Sequence, residues 1–353
     1  MTPVLLVIGL QQLFAGDASR PLPDGPPRPV PVVVWYRTDG ETGRQITWGD
    51  VIGLSAGSGR AAPSKDEAAR AAAGYRSFLV GAKVEEAEAS GLMRSPMNAV
   101  RDAPPAKGKA PIVLIAQGNG DGPEAQAFLA ERLASHGYVV ATTTSPTRLF
   151  GPMKSEADIA PVAADQARDL AVALKEVEKL PFADGRRIGV IGHSFGARAA
   201  LLFTMSEPRT QALVSLDGGI GVATGKDVLP AARGWDPKKA AIPILHIYED
   251  VEPFMAPDFD LLGSLSGARV WLVKVDGLRH VHFTSVGHLM RGSSSLAKAT
   301  SADESSGRAI EAVDRLVLAL LDEFVARKRG PKWPPSDAAF PVRPLRSTSF
   351  APK

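Results

Sequence analysis

Six short apolar runs, several of them separated by stretches of helical periodicity, constrain this chain more than any other feature. They are Pro111 to Ala116 (PIVLIA), Tyr138 to Thr143 (YVVATT), Arg187 to Gly192 (RIGVIG), Ala212 to Leu216 (ALVSL), Ile242 to Tyr248 (IPILHIY) and Arg269 to Val275 (RVWLVKV). A continuous apolar run has no polar side to offer water, so it suits a strand covered on both faces. Between and after these runs the period changes. Asp121-Gly122-Pro123 opens a helix that Gly137 ends, and Ile159, Val162, Ala163, Ala167, Leu170, Leu174 and Val177 repeat at helical spacing from Glu156 to Leu180, with Pro181 as the stop. Phe195 to Met205 is a further helical run, and Ala309 to Arg327 places Ile310, Val313, Val317, Leu320, Leu321 and Phe324 on one side. Strands that alternate with helices pair in parallel through right-handed crossovers, so the expected fold class is α/β, a mostly parallel sheet of about eight strands flanked by helices.

The N-terminal third reads differently. Val32 to Arg37 (VVVWYR), the turn Thr38-Asp39-Gly40 and Arg44 to Gly49 (RQITWG) predict an antiparallel hairpin at the start of the sheet. Ala61 to Glu88, rich in Ala, Lys and Glu with a glycine break, predicts two short helices, a helical insertion over about 61–90. Arg20 to Pro31 is an extended lead-in, and residues after about Lys328, dense in Pro, Arg and Ser, read as a poorly packed tail over 331–353. One domain over 19–330 is expected.

Met1 to Leu10 (MTPVLLVIGL) followed by Ala15-Gly16-Asp17-Ala18 reads as a signal peptide cleaved after about Ala18, hence export to a periplasm or medium. No Lys or Arg precedes the apolar run, and the alternative is an N-terminal strand in a chain that stays in the cytoplasm. The run is too short to span a bilayer, so no integral membrane span is expected. A net charge of +3 over 353 residues, with both signs interspersed, leaves no electrostatic footprint for nucleic acid. The absence of cysteine removes disulfides, thiolate metal sites and cysteine nucleophiles together.

Gly192-His193-Ser194-Phe195-Gly196 fits G-x-S-x-G directly after an apolar run and directly before a helical one. A serine on so sharp a strand-to-helix turn projects its hydroxyl clear of the sheet, and glycines two positions either side leave room for neighbouring backbone. The helix N-terminus turns free N–H groups toward any oxyanion formed there. A second donor is expected from Gln117-Gly118-Asn119-Gly120 after PIVLIA, making the amides of Asn119 and Phe195 the candidate oxyanion hole. A serine hydroxyl needs a base, and the histidine of this chain order follows the last strand. His280 leads in Asp276 to Thr284 (DGLRHVHFT), with His282 second and His288 third. The orienting carboxylate ends one of two strands: Asp217, followed by Gly218-Gly219, or Asp250 beside Glu249. Chain order permits either.

Several segments together resemble the platelet-activating-factor acetylhydrolase and dienelactone-hydrolase-like branch of the α/β hydrolases. They are Arg28 to Tyr36, Pro111 to Gly118 with Gly120, Leu133 to Val140 (LASHGYVV), Gly192 to Gly196 and His280 to Phe283, within about residues 28–325. The resemblance implies an α/β-hydrolase fold and places the acid on Asp217 and the base, in an H-x-x-F pattern, on His280. This chain has Gln117-Gly118 where the family usually has His-Gly, and without cysteine it cannot follow the dienelactone hydrolases' own nucleophile. The resemblance further implies a serine carboxylic-ester hydrolase acting on a small-molecule ester or lipid-like substrate. Such a triad needs no cofactor and no metal. Amidase, peptidase or acyltransferase chemistry on the same triad, or a catalytically silent binding protein, are the alternatives, and oligomeric state is left open.

Overall fold

In the computed structural model, which describes residues 8–40, 43–328, 333–336 and 338–345, the six apolar runs lie side by side in one sheet. Among the described residues that sheet has 11 strands, not eight. In chain order they are β1 (Ile8–Pro21), β2 (Pro27–Arg37), β3 (Gln45–Thr47), β4 (Pro96–Arg101), β5 (Ala110–Ala116), β6 (Val139–Thr143), β7 (Ala183–His193), β8 (Thr210–Leu216), β9 (Pro243–Tyr248), β10 (Arg269–Lys274) and β11 (Arg343–Pro344). Across the sheet they run β11-β10-β9-β8-β7-β5-β6-β2-β1-β4-β3.

From β10 to β6 every neighbouring pair is parallel. Helices Ala127–Ser135 and Ser306–Leu321 cover one face, Ile159–Val177 and Gly196–Ser206 the other. β5 shows why its sequence is apolar throughout: Val113 and Ile115 enter one core while Ile112, Leu114 and Ala116 enter the other. Each large apolar side chain so buried contributes roughly 1.5–3 kcal/mol. Strand order reverses between β5 and β7, because the chain goes outward from β5 to β6 and then returns past β5 to β7. At such a switch point the loops leaving adjacent strands part to opposite faces and open a crevice at the strands' C-terminal ends.

The N-terminal hairpin exists with different partners. β2 pairs antiparallel with β1, not with residues 44–49, and its other edge pairs antiparallel with β6. Val30 to Tyr36 are buried, so β2 needs a neighbour on each edge and cover on each face, which a three-residue return strand cannot supply. RQITWG splits: β3 pairs with β4 at the far edge, and Thr47 then caps helix Trp48–Leu54 through a reciprocal bond with Asp50. β1 runs continuously through position 18, with Ile8 and Leu10 buried, and bonds β2 on one edge and β4 on the other. Residues 1–7 of the expected leader lie outside the described residues. The helical insertion forms Lys65–Gly81 and Glu86–Met93. The described part of the expected loose tail is packed: Trp333 meets Trp271 edge-on, Phe340 and Val342 rest against the core, and β11 pairs with β10. Residues 346–353 lie outside the described residues. No helix among the described residues is long and apolar enough to cross a membrane.

Candidate active site

Ser194 stands at the mouth of the β5/β7 crevice, on the turn between β7 and helix Gly196–Ser206. Its φ of 51° lies in the left-handed region, a strain of roughly 1–3 kcal/mol that surrounding contacts must hold. They are visible: the Ser194 amide donates to Leu216 O (3.1 Å), and Ser194 O accepts from the Gly219 amide (2.8 Å). The flanking glycines are obligatory, since a Cβ on Gly192 would sit 2.4 Å from Ala197 Cα and one on Gly196 2.2 Å from Ala116 O.

His280 opens a short turn after β10 and brings Nε2 to 2.9 Å from Ser194 Oγ. Its Nδ1 lies 2.6 Å from Asp217 Oδ2, at the end of β8. A carboxylate can only accept, so the proton of this contact sits on Nδ1 and Nε2 is left to accept from the serine hydroxyl. Asp217 is 1% exposed, and its other oxygen accepts from the Glu249 amide (3.2 Å). The rivals are elsewhere. His282 is fully buried, and its Nδ1 accepts from the Arg279 amide (3.0 Å); burial and the Arg279 charge push its pKa down to about 4. His288 pairs with Asp314 (3.0 Å); burial pulls its pKa down, but the charge and hydrogen bond of Asp314 with a backbone bond at Thr284 together raise it. Asp250 turns outward to Lys274 (2.7 Å), and it is Glu249 that caps the turn after β9, accepting from the Glu252 amide (3.0 Å) with its pKa raised by burial.

The loop after β5 rests against this turn. A Cβ placed on Gly118 would lie 3.4 Å from Ser194 Cβ. Asp121 N donates to Gly118 O (3.2 Å) across Gly120, whose φ of +77° only glycine adopts freely, and the Gly120 amide is held by Thr147 Oγ1 (2.8 Å). Gln117 fixes the base of the loop from the interior: its side chain donates to Thr142 (2.7 Å) and its carbonyl accepts from Gln166 (2.8 Å). The amides of Asn119 and Phe195 have no acceptor among the described residues. Glu124, in the turn that follows, ties this side to the histidine loop, because its carbonyl accepts from both Trp48 Nε1 (3.2 Å) and Ser285 Oγ (2.6 Å).

Two aromatic neighbours of the imidazole were not foreseen. His193 stacks on His280 with ring centres 5.0 Å apart, and Phe254 meets it edge-on at 5.2 Å. His193 is one of the two variable residues of the motif, so a signal existed; Phe254 lies in the short 3-10 turn Pro253–Met255, which has no pattern to mark it. A cavity of about 420 Å³ opens beside the histidine loop, between Arg279 and Val281 on one wall and Tyr75, Phe78 and Leu79 of the inserted helix on the other. Among the described residues no three metal-ligating side chains converge.

The sheet order, the serine at its switch point and the helices on both faces are those of the α/β-hydrolase fold. A ferulic acid esterase from Streptomyces cinnamoneus has this architecture, with a TM-score of 0.68 at 20% identity over 98% of this chain and 98% of that one. At that identity the likeness establishes the shared fold. No protein-family model matches the chain, and no curated protein matches it.

Proposed function

We propose that this protein is a serine hydrolase that cleaves a carboxylic ester through an acyl-enzyme on Ser194. The observation that carries the reading is the unbroken hydrogen-bond line from Ser194 through His280 to Asp217, at 2.9 and 2.6 Å. As Ser194 Oγ attacks the ester carbonyl, His280 Nε2 takes its proton while Asp217 holds the imidazole in the right tautomer. The Asn119 and Phe195 amides stabilise the tetrahedral oxyanion. Collapse breaks the bond to the alcohol, which leaves with the proton from His280. Water then attacks the acyl-enzyme, gives its proton to His280, and releases the acid as Ser194 recovers its own. The fold shared with a ferulic acid esterase supports an ester as substrate. The LASHGYVV segment and the His280 to Phe283 pattern support a place in the acetylhydrolase and dienelactone-hydrolase-like branch. The cavity beside His280, walled by Phe78 and Val281, suits an apolar part of the substrate.

A fluorophosphonate probe tests the reading directly. One label per chain is expected, on Ser194, and none in Ser194→Ala; labelling at another serine, or none in the folded wild-type protein, overturns it.

A further inference from the structure

Arg198 and Arg28 are both 8% exposed, and their surroundings are opposite. Arg28 is answered by Asp169 through two hydrogen bonds of 3.0 Å. Arg198 makes one side-chain hydrogen bond among the described residues, from Nη2 to Thr224 Oγ1 (2.8 Å), while its Nε is buried without an acceptor. It forms no ion pair among the described residues, and burial alone pushes its pKa down to about 10. A buried guanidinium offers five donors and a full charge, and leaving the charge without a carboxylate and Nε without an acceptor is costly. Position adds to the cost. Arg198 is in the first turn of helix Gly196–Ser206, where the helix's own field is positive and disfavours a cation.

The guanidinium also lies against Phe195 of the serine turn and against Gly219. Its Cζ lies 5.6 Å from the centre of the Phe195 ring, and the absence of a side chain at Gly219 makes its room, since a Cβ there would be 2.0 Å from Nη1. Gly219 is the residue whose amide bonds Ser194 O. The residue as a whole keeps 8% of its surface open. A negatively charged group is what this environment lacks, beside the serine that would attack.

We propose that Arg198 anchors an oxyanion subsite beside the nucleophile turn, and that the ester cleaved carries an oxyanionic group held there. The second half rests on the hydrolase reading above; the first does not.

The test uses the full chain as wild type, Arg198→Lys, Arg198→Gln, Arg198→Met and Ser194→Ala. Mono(4-nitrophenyl) glutarate is compared with 4-nitrophenyl pentanoate, at an ionic strength held constant with chloride. Wild type is expected to favour the charged ester, and Arg198→Gln to lower the ratio of the two kcat/KM values at least about tenfold, through KM, with Arg198→Lys between. Inorganic phosphate is expected to raise the melting temperature of wild type and of Ser194→Ala and not that of Arg198→Met. Without phosphate, Arg198→Met is expected to melt no lower than wild type, because it removes an unanswered buried charge. Phosphate binding without preference for the charged ester overturns the substrate assignment. Phosphate binding with neither ester turned over overturns the hydrolase reading and upholds the subsite. A fall in the melting temperature of Arg198→Met that is the same with and without phosphate makes Arg198 a structural strut and overturns the subsite.

Discussion

The two halves of the sheet were built by different means. From β5 to β10 successive strands are joined by crossovers, both faces are covered, and each segment is apolar enough to mark its own burial. From β1 to β4 the pairing is antiparallel or distant: β1 bonds β4 across some ninety residues, and β3 has three residues at an edge. Labour is divided along the same line. Ser194, Asp217 and His280 follow β7, β8 and β10, whereas Phe78 and Tyr75, from the insertion in the other half, wall the cavity. Locally specified structure holds the three aligned side chains, and non-locally assembled structure walls the cavity beside the His280 loop.

The line of Ser194, His280 and Asp217 carries the largest expected effects. Ser194→Ala and His280→Ala are each expected to lower ester turnover on the order of 10⁴-fold or more with little change in the melting temperature. His282→Ala is expected to do the reverse, costing about 1–3 kcal/mol in a urea titration because a buried cap is lost, with a far smaller effect on turnover. If His282→Ala is the variant that stops turnover and His280→Ala is mild, the base has been misassigned.

Deleting residues 1–18 asks whether the antiparallel half is dispensable. It removes most of a strand bonded on both edges, and is expected to cost most of a stability that for such domains is roughly 5–15 kcal/mol. Unchanged urea midpoints for the shortened chain would show that the parallel half stands alone.

Glu131 probes the seam between the halves. It lies on helix Ala127–Ser135 and accepts from the Asn98 amide of β4 (3.1 Å), and burial pushes its pKa up to about 7 from 4.5. The unfolded chain releases this proton first, so the contribution to stability is fully present below pH 4.5 and is lost as pH rises through about 7. Glu131→Gln should flatten that fall and gain about 2 kcal/mol at pH 8. A melt whose pH dependence is unchanged by the substitution would mean that the carboxyl is not desolvated. The smallest effect belongs to the cavity wall. Phe78, 65% exposed, is expected on truncation to alanine to raise KM about threefold for a long-chain ester, with no change in the urea midpoint. An unchanged KM would remove the insertion from the substrate's path.

Legibility followed the same division. PIVLIA and ALVSL stood out because strands covered on both faces have no freedom to include polar residues. RQITWG misled because a three-residue edge strand and the first turn of a helix leave no periodicity, and the decisive Thr47 to Asp50 cap looks like any polar pair. β1 was obscured because a buried strand with a small-residue end and a cleavable leader share a composition. At the site, Ser194 was marked by its flanking glycines, but chain order left His280 against His282 and Asp217 against Asp250. Two residues along a turn separate a ring 2.9 Å from the serine from one sealed in the interior.

Local sequence was enough to set the repeating strand and helix units, the place of the glycine-flanked Ser194 turn and the residue types that meet it. These depend on burial and backbone sterics that act over a few residues, and such constraints are written locally. Folding in three dimensions settled which strands meet at the N-terminal side, which imidazole and which carboxylate line up with the serine, and that Arg198 has no counter-charge among the described residues. Those outcomes depend on distances between segments far apart in the chain, and no local pattern encodes them.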